Sequence, residues 1–348
     1  MNPATRSLHS PCPIVLTMGD PAGIGPEIIV KAFLERPELL GQVVVAGDVE
    51  TLRRATRQLA TGSAPLMLAE IADLSDLAAV PPGCMAVVQA CKLGQPVEIG
   101  CVSAIAGRAA ADCIEWAARA ALQGRARAVV TAPIHKEALA AAGIEHPGHT
   151  ELLQALSAEH LGVPVAELPV RMMLSCPGLS TVLVSIHVSL RRALDAVTTE
   201  QVLQTIRITQ AHFQRIGVAR PRIAVAGLNP HAGEGGLFGS EDRDSIAPAI
   251  ALAQQEGIEA SGPHAPDTVF MRARQGGFDV VVAMYHDQGL IPVKLLGLDH
   301  GVNTTLGLPL VRTSPDHGTA FDIAGTGRAS PCSLLAAIDA ALAASLTS

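Results

Sequence analysis

Aromatic side chains are nearly missing from this chain: its 348 residues include one Trp, one Tyr and six Phe, 2% in all, although 49% are hydrophobic. An interior without large rings must be filled by aliphatic side chains. Ala-faced helices packed closely on Val, Ile and Leu strands are therefore expected, an α/β arrangement. Positive charge is thin as well. Lys and Arg number 25 against 32 Asp and Glu, a formal net charge of −7, and the arginines are scattered. That excludes the basic stripe of a nucleic-acid binder. No uncharged apolar run approaches the roughly 20 residues that span a bilayer, so no membrane partner is expected. The first dozen residues, MNPATRSLHSPC, lack the apolar stretch of a signal peptide and read as a frayed tail. Seven cysteines (Cys12, Cys84, Cys91, Cys101, Cys113, Cys176 and Cys332) form no CxxC pair and are odd in number. They imply reduced thiols and a cytoplasmic location. Repeats, low-complexity tracts and Ser/Gly linkers are absent too. At this length one two-lobed unit or two domains is expected, with any boundary crossed by ordinary loops.

What is present is a regular alternation. Short runs rich in Val and Ile recur between longer stretches of helical spacing, punctuated by Gly and Pro. Strands are expected over 13–18, 42–46, 85–89, 128–131, 170–175, 181–186, 222–227 and 279–284. The clearest helix runs from Ser103, a natural N-cap, to a stop at Gly124; another runs from Thr199 to Gly217. This order implies a mostly parallel sheet with helices on both faces.

In open sheets of this kind, ligands bind beyond the carboxyl ends of the strands. His187 follows one expected strand, His231 lies in the loop Asn229-Pro230-His231-Ala232-Gly233-Glu234 after another, and His286, followed by Asp287, comes after a third. Three imidazoles with an open position suit a catalytic divalent ion, and Asp287 could orient a ligand ring from behind. One such histidine alone would be an ordinary hydrogen-bonding loop residue; the three together favour the metal. A second group suits an anion. Thr131 to Lys136 follows a strand, and Gly148-His149-Thr150 opens an apparent helix over 151–161, where free backbone N–H groups can hold phosphate. Thr150 serves equally well as a helix cap. Lys294, one of only four lysines, and Arg312 could each take a carboxylate or phosphate, and Lys294 could carry a proton, although a surface lysine would look the same. The runs 303–307, 312–319 and 322–325 are so dense in polar residues and glycine that they read as binding loops before a last helix near Ser330. The turn from Met18 to Glu27 has the glycines of a nucleotide loop but matches neither GxGxxG nor GxxxxGK[ST]; a tight turn with Pro26 opening a helix explains it.

The segments GDPAGIGPE, TAPIHKEAL, PGHTELL, NPHAGEGGLFGSED, PDTVF, MYHDQGLIPVKLLG and GVNTTLGLPLVRTSPDHGTAFDIAG, in this order, resemble the 4-hydroxythreonine-4-phosphate dehydrogenase family of pyridoxal phosphate biosynthesis. The resemblance covers roughly residues 13–340. It implies an isocitrate/isopropylmalate-dehydrogenase-like α/β fold, two lobes sharing a mixed sheet with helices on both faces and a cleft between them. Residues 1–131 with 295–348 would form the first lobe and 132–294 the second. It further implies a homodimer with the active site near the subunit interface. His187, His231 and His286 would be ligands of one divalent ion (Zn, Mg or Co), contributed across the two subunits. His149, Thr150, Lys294, Asn303 and Arg312 would contact substrate, with Lys294 and Asp287 as the catalytic side chains. NAD, or NADP in its place, would bind without a Rossmann fingerprint, with Asp316 and Gly318 as the expected contacts. The implied reaction oxidises the secondary alcohol of a small phosphorylated hydroxy acid and then releases CO₂.

Pro266 in HAPDTVF, Val188-Ser189-Leu190 after His187, and Leu237-Phe238 depart from the pattern of the vitamin B6 members. They look more like a sister branch acting on 4-phospho-D-threonate, 4-phospho-D-erythronate or an aromatic cis-dihydrodiol acid. More distant readings are a zinc hydrolase, although its usual HExxH is missing, and a phosphate-ligand binding protein without turnover.

Overall fold

The computed structural model describes residues 12–60 and 64–344, so the tail expected over the first dozen residues lies, Cys12 apart, outside the described part. The described residues contain twelve strands in one mixed sheet. The first six are β1 (Ile14–Thr17), β2 (Val43–Gly47), β3 (Met67–Ile71), β4 (Cys84–Gln89), β5 (Ala128–Thr131) and β6 (Arg171–Cys176). The others are β7 (Leu179–Leu183), β8 (Ile223–Ala226), β9 (Ala260–His264), β10 (Val280–Ala283), β11 (Val302–Leu306) and β12 (Arg312–Pro315).

Their spatial order is β3-β4-β2-β1-β5-β12-β11-β6-β7-β10-β8-β9. Two blocks of parallel strands, β3 to β12 and β7 to β9 in that order, meet at β11 and β6, each antiparallel to both neighbours. The blocks therefore run in opposite directions. β1, β2, β5, β8 and β10 are short Val, Ile and Ala runs buried along their whole length, as strands covered on both faces must be.

Helices cover both faces: α1 (Gly25–Glu35), α2 (Val49–Leu59), α3 (Ala104–Leu122), α4 (Lys136–Ala141), α5 (His149–Leu161) and α6 (Leu190–Ala196), then α7 (Thr199–Arg215), α8 (Ala247–Gln255), α9 (Val269–Arg274), α10 (His286–Gly297) and α11 (Cys332–Ala344). In the first block, α1, α2 and α11 pack on the face of Leu16, Val45 and Val130, and α3 with α5 on the face of Val15, Val44 and Val129. In the second, α7 and α8 cover Val182, Val225 and Val282, while α9 and α10 cover Leu183, Ala226 and Val281. Ser103 caps α3 as expected, its side chain accepting from Ala106 N at 3.2 Å. None of the described helices is long and apolar enough to cross a membrane.

One expectation is overturned. The runs 303–307 and 312–319 are not mainly loops: β11 and β12 lie at the centre of the sheet. Thr is β-branched and favours a pleated strand. These strands are polar yet buried because their side chains find partners inside the fold: Arg312 bonds to Thr131 and Thr305, and Thr313 donates to the Ala337 carbonyl of α11.

Where α3 crosses α4, Gly107 allows backbone to touch backbone; a methyl there would run into the Ala138 carbonyl. Gly107→Ala is expected to lower unfolding stability by roughly 1–3 kcal/mol. Urea titration should show a lower midpoint with an unchanged slope; an unchanged midpoint would refute the tight crossing.

Candidate active site

Arg312 begins β12 beside Val129 of β5, on the face that α5 covers in one block and α10 in the other. It is 4% exposed. Its Nε and Nη2 donate to Thr131 Oγ1 at 3.2 and 2.8 Å, and its Nη1 donates to Thr305 Oγ1 at 3.1 Å. Among the described residues no carboxylate forms an ion pair with it. Burial pushes its pKa down to about 10, and Glu151 opposes that shift. A buried guanidinium held only by neutral hydroxyls is an incomplete arrangement, and an incoming anion would complete it.

The anion has further support close by. His149 is the first residue of α5, and its pKa lies well below the usual histidine value, first because the ring is buried and then because Arg312 is near. A hydrogen bond to the Ala132 backbone works the other way, and Nε2 is buried without a partner. The N-cap of α5 is Gly148, with no side-chain cap, so Thr150 sits in the first turn and is not the cap. The opening N–H groups of α5 therefore face the same region uncapped. Glu151, absent from the sequence reading, acts electrostatically on both Arg312 and His187.

Along the cleft, Lys294 on α10 donates to Asp316 Oδ2 at 2.6 Å, joining an expected substrate contact to an expected cofactor contact. Asn303 is half-buried on β11 opposite Ser314. Gly318 lies two residues past Asp316, its carbonyl 3.1 Å from His317 Nδ1.

The three strand-end histidines are brought together only in part. His187 and His286 face each other with ring centroids 5.7 Å apart, lining a cavity of about 280 Å³ with Tyr285 and Asp287. Burial first, then Lys136 and His286, lower the His187 pKa, which keeps its lone pair free. Asp287 Oδ1 sits 2.7 Å from His286 Nδ1, leaving His286 Nε2 open to a ligand. His231 stands apart, exposed, its ring 6.2 Å from that of Phe238. Among the described residues no three His, Cys, Asp or Glu side chains are gathered closely enough to hold a metal ion. The donor set suits a zinc-like ion, with two of its members assembled. Gln288 braces this end, accepting from Met284 N and donating to the Gly227 carbonyl, both at 2.7 Å.

The turn from Met18 to Glu27 packs against the other side of the cleft. Asp20 N donates to the Pro133 carbonyl at 2.9 Å and Ile24 N to the Thr319 carbonyl at 3.0 Å. Asp20 is fully buried, and burial raises its pKa against the lowering effect of Ala22 N and His135. His135 stacks on Phe321 at 4.8 Å.

The sequence matches the family described as pyridoxal phosphate biosynthetic protein PdxA over residues 39–341. A 4-hydroxythreonine-4-phosphate dehydrogenase of Beijerinckia indica is 52% identical over 94% of this chain and 93% of its own length. A D-threonate 4-phosphate dehydrogenase of Salmonella typhimurium is 46% identical over 94% of this chain and 98% of its own. The crystal structure of a 4-hydroxythreonine-4-phosphate dehydrogenase from Klebsiella pneumoniae superposes with a TM-score of 0.84 at 43% identity, covering 96% of this chain and 99% of that one. With likeness of this degree running almost from end to end, the chain belongs to the PdxA family of pyridoxal phosphate biosynthetic proteins.

Proposed function

We propose that this chain is an NAD-linked, divalent-metal-dependent dehydrogenase that oxidises the secondary alcohol of a 4-phosphorylated 3-hydroxy acid, 4-hydroxythreonine-4-phosphate or its D-threonate counterpart, after which the keto acid loses CO₂. The observation that carries this reading is the buried, carboxylate-free Arg312 beside the unpartnered His149 Nε2 at the start of α5. A doubly charged phosphate monoester fits that socket, because it supplies the charge Arg312 lacks and accepts from the opening N–H groups of the helix. The family names support the substrate class.

His187, His286 and His231 would hold the ion, which when bound polarises the alcohol oxygen while NAD takes the hydride. The protein's own part is orientation and proton handling. Asp287 aims His286, and Lys294, tethered to Asp316, keeps two further N–H protons for substrate oxygens. Asn303 offers a neutral amide to the same oxygens, and Gly318 leaves room for the nicotinamide ring. In this reading Val188, Leu190, Leu237, Ile291 and Leu295, all exposed around the two histidine groups, are covered by a second copy of the chain, whose His231 completes the set. The second substrate, D-threonate 4-phosphate, is favoured by the Salmonella relative at 46% identity.

Metal-loaded protein mixed with NAD is expected to reduce the cofactor with 4-hydroxythreonine-4-phosphate or 4-phospho-D-threonate, read as absorbance of the reduced form. No reduction with either, in protein with metal bound, would defeat the reading. Arg312→Lys should cut kcat/KM by about a hundredfold or more while the fold stays intact by circular dichroism, because a single ammonium cannot keep both threonine contacts and the phosphate. His187→Ala and His231→Ala should each be inactive alone. Mixed and allowed to exchange subunits, they should regain about a quarter of wild-type activity, since half the pairs are mixed and each of those has one intact site. No regain despite exchange seen by mass spectrometry would put the site within one chain.

A further inference from the structure

The loop that carries His231 is held in a conformation its sequence resists. His231, Ala232, Gly233, Glu234 and Gly235 have φ of 54°, 55°, 81°, 43° and 68°, five successive left-handed residues of which three bear a Cβ. Left-handed backbone is unfavourable for such residues and persists only where the surroundings impose it. The imposing group is Asp242, in the turn that leads into α8 and only 2% exposed. Its Oδ1 accepts from Leu228 N at 2.8 Å, and its Oδ2 accepts from Asn229 N at 3.1 Å and Asn229 Nδ2 at 2.9 Å. Two glycines make room for it: a Cβ on Gly227 would lie 2.8 Å from Oδ1, and one on Gly233 would lie 3.3 Å from Oδ2. Both carboxylate oxygens are thus spent on the stem of one loop, and among the described residues no cation pairs with Asp242.

We infer that Asp242 is the positioning residue for His231, setting the left-handed turn that presents the imidazole as a metal ligand. This rests on the reading of His231 given above. In this role Asp242 acts through the loop, its contacts being with Leu228 and Asn229. It satisfies three N–H donors at the loop stem, and asparagine in its place must turn its NH₂ toward at least one of them.

The test uses Co²⁺ as the probe, titrated into the full-length protein and followed by its visible absorption, alongside amide hydrogen exchange without metal. Asp242→Asn is expected to speed exchange over residues 228–239 by roughly tenfold while the central strands are unchanged, and to weaken Co²⁺ by about 10–100-fold. Adding Glu234→Gly should restore part of the affinity, because glycine removes the left-handed penalty at 234. If Asp242→Asn does not fold, Asn229→Ala, which deletes one donor, should move both readouts less and in the same direction. Unchanged exchange in a folded variant overturns the inference whatever the metal does. Faster exchange with unchanged Co²⁺ affinity in both the variant and His231→Ala would uphold the brace and remove His231 from the ligand set.

Discussion

A guanidinium buried on two threonine hydroxyls, at the seam where two oppositely directed blocks of strands meet, governs how the rest of this molecule is arranged. Arg312 lies where β5, β12 and β11 run side by side, and its partners Thr131 and Thr305 come from the strands on either side. A buried charge without a counter-charge costs several kcal/mol unless something else neutralises it. Neutral hydroxyls orient the group without cancelling it. Burial first and then the same charge favour the neutral state at His149, and Glu151 acts on both Arg312 and His187. His187, past the end of β7 in the second block, lies within electrostatic reach of Lys136 and Glu151 from the first.

How much of this was legible in the sequence varies with the physics of each part. Strands buried on both faces announce themselves as Val and Ile runs, and all eight expected strands exist, β5 with the expected ends. Four strands were missed. β3 is a half-exposed sheet edge, and β9 carries Gly262 and Pro263 at the other edge, where a missing N–H is tolerated. β11 and β12 were read as loops because their polar residues were taken at face value. Once bonded to each other in the buried centre of the sheet, Thr305 and Arg312 are as strand-like as valine.

The histidines were legible for a different reason. A polar residue directly after an apolar run is a one-dimensional signal of a strand end, and His187, His231 and His286 lie past β7, β8 and β10. What a linear reading lacks is the partners that make such residues useful. Gln288 joins the ends of two strands, and Asp242 serves a loop that begins 14 residues earlier; both stand in the segments quoted above, yet nothing in their spacing says which backbone groups they hold. Strain is also silent in sequence. His187 and His231 both sit at positive φ, 46° and 54°, where glycine would be expected, and such outliers gather at functional sites because surrounding contacts over-determine them.

The layout of the cleft bears on which hydroxy acid the proposed reaction takes. Its two ends ask for different chemistry: an anion at Arg312, His149 and the start of α5, and oxygen donors at the His187 and His286 pair. Helix α10 carries His286 at its first residue and Lys294 eight residues on, a rise of about 12 Å, so a ligand that touched both would be extended and bifunctional. A four-carbon acid with a terminal phosphate has both functions and two negative charges for the socket. An aromatic cis-dihydrodiol acid would offer the socket a carboxylate with a single charge in place of a doubly charged phosphate, and with fewer oxygens to accept from the helix N–H groups. Of the sister-branch features, Val188 and Leu190 line the cavity of His187 and His286, while Leu237 and Phe238 are exposed in the loop of His231. In the proposed reaction Val188 and Leu190 would therefore bear on the part of the substrate near the histidines and not on the phosphate.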